Sequence, residues 1–187
     1  MTDKVYTRKG DDGTTQLLFA GKDRVLKASA RVAAYGDGDE AVSALGIARA
    51  EALEGGLDEI AGIVLGLQRE LFVVNAELAT PPEHAHRLTD EVSRVTQAMV
   101  DALEHRIDEL TASFEQPRDF IVPGNTKLGA ALDHAGRVIR RAERSAVTLS
   151  GTEAVRAELL RYLNRLADLA WVLARFAEAR EQQPRSR

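Results

Sequence analysis

Beyond about residue 38 the chain is written in the period of a helix. The clearest stretch repeats apolar residues at Ile60, Val64, Leu67, Leu71, Val74 and Leu78, in alternating steps of four and three, the spacing that lines one face of an α-helix. Pro81-Pro82 ends it, because proline lacks an amide hydrogen and its ring clashes with the turn before it. Upstream, Val42, Leu45 and Ala48 predict a first helix. It starts near Asp39 and Glu40, acids suited to the positive end of a helix, and stops at Glu54-Gly55-Gly56. A third helix is predicted to begin after Thr89 and to carry Val92, Val95, Met99, Ala102, Leu110 and Phe114, ending before Pro117. A fourth covers about Lys127 to Leu149, and Gly151-Thr152 separates it from a fifth that runs to about Glu181, with Thr152 as a candidate N-cap.

The fifth helix has two occupied faces. Leu159, Tyr162, Leu166, Leu169 and Leu173 form a core stripe, while Asn164, Asp168 and Trp171 gather on roughly the opposite side. Short connections between such helices predict an all-α, five-helix up-and-down bundle, and the second face of helix five suggests packing against another subunit. Residues 1–38 are rich in Gly, Asp, Thr and Lys and show no sustained period, so they read as a Gly-rich N-terminal loop segment ending near Gly36-Asp37-Gly38. The stretch Phe120-Ile121-Val122-Pro123-Gly124-Asn125-Thr126 reads as a connecting loop, and 180–187 as a disordered tail. With 187 residues and 44% hydrophobic content, a single domain over 1–187 is expected.

Composition removes several kinds of chemistry. There is no cysteine, which excludes disulfides, thiolate metal sites and cysteine nucleophiles, and fits a reducing, cytoplasmic setting. The formal net charge of −4 argues against a general nucleic-acid binder, so any anion site must be local. No apolar signal core or membrane-length stretch is visible, and a soluble protein is expected.

One local site stands out. Arg137, Arg140, Arg141 and Arg144 fall within an arc of about 100° on the fourth helix, at about 100° per residue. Like charges this close repel, and arginine is the side chain suited to forked contacts with phosphate or carboxylate. The plain alternative is a solvated face with intrahelical pairs, Asp133 to Arg137 and Arg140 to Glu143. A second candidate is the run Tyr6-Thr7-Arg8-Lys9-Gly10-Asp11-Asp12-Gly13-Thr14-Thr15, whose glycines, hydroxyls, cations and carboxylates suit a triphosphate and magnesium cradle. Lys27 could add charge. It is not the usual P-loop, and as a string it is also simply a turn. The four histidines, His84, His86, His105 and His134, have no zinc or di-iron spacing and read as surface residues.

Five segments in order resemble the PduO-type corrinoid adenosyltransferases. They are the Tyr6 to Thr15 run; Tyr35-Gly36-Asp37-Gly38-Asp39-Glu40 with Ser43 to Gly46; Phe120 to Gly124; Arg140-Arg141-Ala142-Glu143-Arg144; and Tyr162 to Asp168. The resemblance implies a homotrimeric helical bundle that moves the 5′-deoxyadenosyl group of ATP, as its magnesium complex, to cob(I)alamin, yielding adenosylcobalamin and triphosphate. It implies that Thr7, Arg8, Lys9, Gly10, Thr15, Lys27, Arg140, Arg141, Glu143 and Asn164 fall on ATP-binding positions. Phe120 falls on the aromatic that displaces the lower axial ligand of the corrinoid. A corrinoid reductase and an adenosylcobalamin-dependent mutase are the partners implied; metal ligands stay unassigned.

The chain departs from the family pattern at one telling position. Where the family places an arginine four residues before Arg140, expected to pair across subunits with the acid at Asp39, this chain has Gly136. Arg137 is the neighbouring substitute, but a one-residue shift turns a side chain by about 100° around the helix. Asp37-Gly38 also replaces the more usual residues before Asp39. The alternative to an enzyme is a non-catalytic ATP- or corrinoid-binding bundle that delivers or senses cofactor. A purely structural bundle would explain neither the loop nor the arginines.

Overall fold

The computed structural model describes residues 6–182. A two-stranded antiparallel hairpin, β1 (Thr14–Gln16) and β2 (Arg24–Leu26), precedes five α-helices: α1 (Ala30–Glu54), α2 (Asp58–Leu78), α3 (Gln97–Thr111), α4 (Lys127–Ser150) and α5 (Ala157–Gln182). A single 3-10 turn at Pro82–Arg87 links α2 towards α3. The helices pack as a chain of neighbours: α2 on α1, α1 on α4, α4 on α5 and α5 on α3. The sides turned inward are almost wholly apolar, with Leu45, Leu71, Leu132, Ile139, Leu163 and Leu166 fully buried. Small residues let α1 and α4 come close; Ala41, Ala48 and Ala52 on α1 and Ala135, Ala142 and Ala146 on α4 are all fully buried. No helix among the described residues is long and apolar enough to cross a membrane.

The predicted bundle is present, with differences at its helix ends. Helix α1 begins at Ala30, not near Asp39, and runs straight through Gly36 and Gly38. Ser29 caps it, its hydroxyl accepting from the Val32 amide. The glycine that looked like a break is a packing device: a Cβ on Gly38 would lie 2.0 Å from Asn75 Oδ1 on α2. Helix α3 starts later than its apolar period suggested, at Gln97, because Thr96 accepts from the Met99 amide and closes the helix there. Upstream of it the chain turns, with Glu91 at φ 61° and Val92 exposed. Thr126 caps α4 through the Gly129 amide. Thr152 caps nothing; its hydroxyl donates back to the Leu149 carbonyl, and α5 begins five residues on at Ala157. Helix α5 carries Arg180 to Gln182, so the expected tail does not start at 180, and 183–187 lie outside the described residues. The hairpin, read as loop, has register Thr14↔Leu26, Thr15↔Val25 and Gln16↔Arg24.

Two acids, Glu70 half-buried and Glu77 buried, tie the bundle together. Tyr162, fully buried on α5, donates to Glu70 Oε2 on α2 at 2.6 Å. Glu77 on α2 accepts from the Val95 amide at 2.6 Å and lies 3.7 Å from Arg156. Burial raises the carboxyl pKa of both above the ordinary glutamate value of 4.5. The folded state therefore holds protons that the unfolded chain has released, and stability should fall as pH rises from about 4.5 through those raised values. Glu77→Gln is expected to flatten that part of the profile without abolishing it, since Glu70 stays; urea unfolding between pH 4.5 and 7 measures the difference.

Candidate functional site

Three helices present their ends and outer edges around the arginines of α4. Arg140 donates to Asp168 Oδ1 on α5 at 2.9 Å. Arg141 turns the other way, pairing with Glu40 on α1 and lying 3.6 Å from Asp37 through its Nε. The Ser145 hydroxyl donates to the second Asp37 oxygen. Hydrogen bonding to Glu40 lifts the Arg141 pKa further, so this guanidinium stays charged. Glu143 accepts from Asn164 Nδ2 at 2.9 Å, and Arg165 holds the Asn164 oxygen at 2.7 Å while binding Glu104 at 2.7 Å. Arg137 and Arg144 are exposed and make no ion pair among the described residues. The intrahelical pairs expected of a plain solvated face are not formed: Asp133 turns inward to Arg175, and Arg140 and Glu143 each look to α5.

A cavity of about 550 Å³ opens beside this face, walled by Phe120, Asp133, Gly136, Arg140, Asp168 and Trp171. Its size suits a small ligand or part of a large one. Gly136 lets α4 lie close to α5 there, since a Cβ would meet the Ala170 methyl at 3.4 Å, ordinary packing distance. Phe120 is fully exposed at its rim, on the segment between α3 and α4. Trp171 is half-buried, with the Arg175 guanidinium 5.8 Å from its ring centre.

Behind the cavity sits a buried charge cluster. Arg175 bonds Asp133 and lies 3.4 Å from Glu178, and all three are nearly inaccessible. Gly129 is needed beside it, because a Cβ would press to 2.9 Å from the Glu178 side chain. Burial pushes the Glu178 carboxyl pKa up, while Arg175 pulls it back.

The N-terminal candidates lie together on the hairpin side. Lys27 donates to the Gly10 carbonyl at 2.8 Å, Arg24 to the Lys9 carbonyl at 2.5 Å and to the Thr14 carbonyl at 3.0 Å. The Thr7 hydroxyl accepts from the Lys9 amide at 3.4 Å, and Arg8 holds a positive φ of 61°. Thr15 pairs with Val25 in the hairpin, and Leu18 ties the segment to Ala79 at the end of α2. These hydrogen bonds run within the segment and to α2, so one chain brings Arg140, Arg141, Glu143 and Asn164 together but does not hydrogen-bond them to Thr7, Arg8, Lys9, Gly10 or Lys27. Asp39 is exposed on α1, touched by Asn75 Nδ2 at 3.4 Å. Among the described residues no three acidic or histidine side chains converge to hold a metal ion.

Several of these residues were not marked by the sequence. Asp37 and Glu40 are three apart, one helical turn, and would have been placed on one face had α1 been started at Ser29. Gly136 and Trp171 as cavity walls, and Asp133, Arg175 and Glu178 as a cluster, depend on which helices are neighbours.

The fold and face define a helical-bundle protein with an arginine-rich face beside a cavity walled by both apolar and charged side chains. The model of the family described as cobalamin adenosyltransferase matches residues 5–177. The corrinoid adenosyltransferase of Mycobacterium tuberculosis is 39% identical over 180 residues, covering 93% of this chain and 88% of that protein. That of Bacillus subtilis is 39% identical over 180 residues, covering 95% and 88%. A variant PduO-type ATP:corrinoid adenosyltransferase from Lactobacillus reuteri, complexed with cobalamin and ATP, superposes with a TM-score of 0.85 at 34% identity, covering 97% of each chain. The chain belongs to the cobalamin adenosyltransferase family.

Arg175 is the residue on which the buried cluster depends. Its replacement by alanine would strand Asp133 and Glu178 as uncompensated buried charges, and the expected loss is about 3 to 5 kcal/mol of stability, read from chemical unfolding at neutral pH.

Proposed function

We propose that the protein transfers the 5′-deoxyadenosyl group of ATP to cob(I)alamin. The cobalt(I) centre attacks the 5′ carbon, the carbon–oxygen bond breaks, and its electron pair leaves with triphosphate, so adenosylcobalamin and triphosphate are the products. The observation that carries this reading is the arginine face of α4 beside the cavity under Phe120, in a chain that matches this family along nearly its whole length.

The residues suit the chemistry. No general base is needed, because the nucleophile brings its own electron pair; what must be stabilised is the growing charge on triphosphate. Arg140 and Arg141 are the donors for that charge, Glu143 and Asn164 orient the nucleotide, and Thr7, Arg8, Lys9, Gly10, Thr15 and Lys27 close over the phosphates. Magnesium enters with the nucleotide, as MgATP. Phe120 and Trp171 form the apolar wall for the corrin. A ring pressed beneath the corrin blocks the lower axial ligand and makes the cobalt(II) precursor easier to reduce. Excluding water protects the strongly reducing nucleophile.

The nucleotide residues of the N-terminal segment and those of α4 and α5 share no hydrogen bond within one chain, which supports a site assembled between copies. Exposed Ile47 on α1 and Val147 on α4 supply apolar surface for the contact. We assign a homotrimer, with Arg137 and Asp39 at its seams and a corrinoid reductase supplying cobalt(I).

The reading is tested by anaerobic incubation with MgATP and reduced cobalamin, followed by the corrinoid spectrum. Conversion to the adenosyl form is expected, and Arg140→Ala should lose most turnover while melting within a few degrees of the parent. Corrinoid and nucleotide binding with no conversion would favour a delivery or sensing role instead. Sedimentation at micromolar concentration should give three chains per particle; a monomer that persists with MgATP would rule out the shared site. Phe120→Ala should slow adenosylation that starts from cobalt(II) while leaving MgATP affinity nearly unchanged.

A further inference from the structure

Asn75 occupies an unusual place. It sits on α2 where that helix approaches α1 most closely: a Cβ at Gly38 would fall 2.0 Å from Asn75 Oδ1 and 3.1 Å from its Cγ. The amide fills the space that any other side chain at 38 would need. Its oxygen is buried with no hydrogen-bond partner, whereas Nδ2 donates to Asp39 Oδ1 at 3.4 Å. Turning the amide over would not help, since it would set an acceptor against a carboxylate.

Stability alone does not explain this residue. A buried acceptor without a partner has given up its hydration for nothing in return, and an apolar side chain would fill the same space without that cost. The polar return at this point is the hydrogen bond to Asp39. That carboxylate is exposed on α1 and makes no ion pair among the described residues, while Asp37 and Glu40 on either side are drawn to Arg141. Repelled by two like charges and free to rotate, Asp39 has one group that selects its orientation. At 3.4 Å the bond is long, but it is directional and it is the side-chain contact made to this carboxylate among the described residues.

We infer that Asn75 is a positioning residue for the reaction: wedged into the gap left by Gly38, its amide holds the Asp39 carboxylate in the orientation the site between subunits requires. The inference rests on the reading of Asp39 given above. Asn75 touches no substrate and acts only through Asp39.

Steady-state adenosylation with corrinoid and ATP varied separately tests it, on Asp39→Ala, Asn75→Ala, Gly38→Ala and the Asp39→Ala/Asn75→Ala double variant, each with a melting curve. Asn75→Ala is expected to raise the corrinoid KM about five-fold, the scale of one hydrogen bond, with the ATP KM unchanged. Its melting temperature should hold or rise, because the unpaired acceptor is gone. Gly38→Ala should reproduce the KM effect by evicting the amide, and Asn75→Ala should add nothing once Asp39 is alanine. If Asp39→Ala is impaired while Asn75→Ala keeps the parental corrinoid KM, the positioning role is overturned and the role of Asp39 stands. If Asp39→Ala itself behaves as the parent, the reading of Asp39 falls and the positioning role with it. A lower melting temperature for Asn75→Ala with both KM values unmoved would make the residue merely structural, and would also overturn the inference.

Discussion

Cations crowded on one face of a helix must be compensated from somewhere, and in this protein the compensation comes from both flanking helices. Helix α4 lies between α1 and α5, and each neighbour supplies carboxylates to a different arginine: Asp168 to Arg140, Asp37 and Glu40 to Arg141. Side chains that α4 alone would hold in mutual repulsion become cross-braces of the bundle. The pairs are partly exposed, so they add little to stability. Their weight lies in placement, because they fix the guanidinium groups in an array before any ligand arrives. On the proposed function, a polyphosphate entering this face would compete with carboxylates for donors already in position, which would avoid most of the ordering cost of an unconstrained arginine.

The second set of charges lies behind the first and obeys the opposite rule. Arg175, Asp133 and Glu178 are withdrawn from water, so breaking the cluster is costly even where forming it gains little. Asp133 faces the cavity under Phe120, whereas Arg175 and Glu178 line a second hollow of about 400 Å³ on the other side of Ile121. The cluster is thus the wall between the two. Ile121, next to the exposed Phe120, lines both hollows.

What the chain disclosed in advance follows from how local each signal is. Helix α2 was readable because its apolar stripe is regular and two prolines end it. The true start of α1 was hidden by Gly36 and Gly38, which read as a break; the reason for Gly38 is the close passage of Asn75, a contact 37 positions away in sequence. Thr152 carried the right chemistry for a cap but lies in the turn, and the ordinary-looking Thr126 caps α4. Arg140, Arg141, Glu143 and Asn164 stood out because helical spacing and motif agree. The pairing of Asp37 with Arg141 and the place of Trp171 and Gly136 in the cavity wall were not legible, since they depend on which helix stands opposite. Periodicity says that a residue faces something; only the packing order says what.

That packing order also sets a timetable. The most extensive helix pairing in the bundle joins α1 to α4, with α2, α3 and their connections between them along the chain. During synthesis from the N-terminus, α1 emerges early and can dock locally on α2, but its alanine-lined flank has no cover until α4 has been made. The nascent chain therefore exposes a smooth apolar strip for much of its elongation, the kind of surface on which folding intermediates stick to one another. Long-range closure of this sort is slow to form. The same seam that lets two helices approach closely in the finished protein makes its birth the most vulnerable stage of its life.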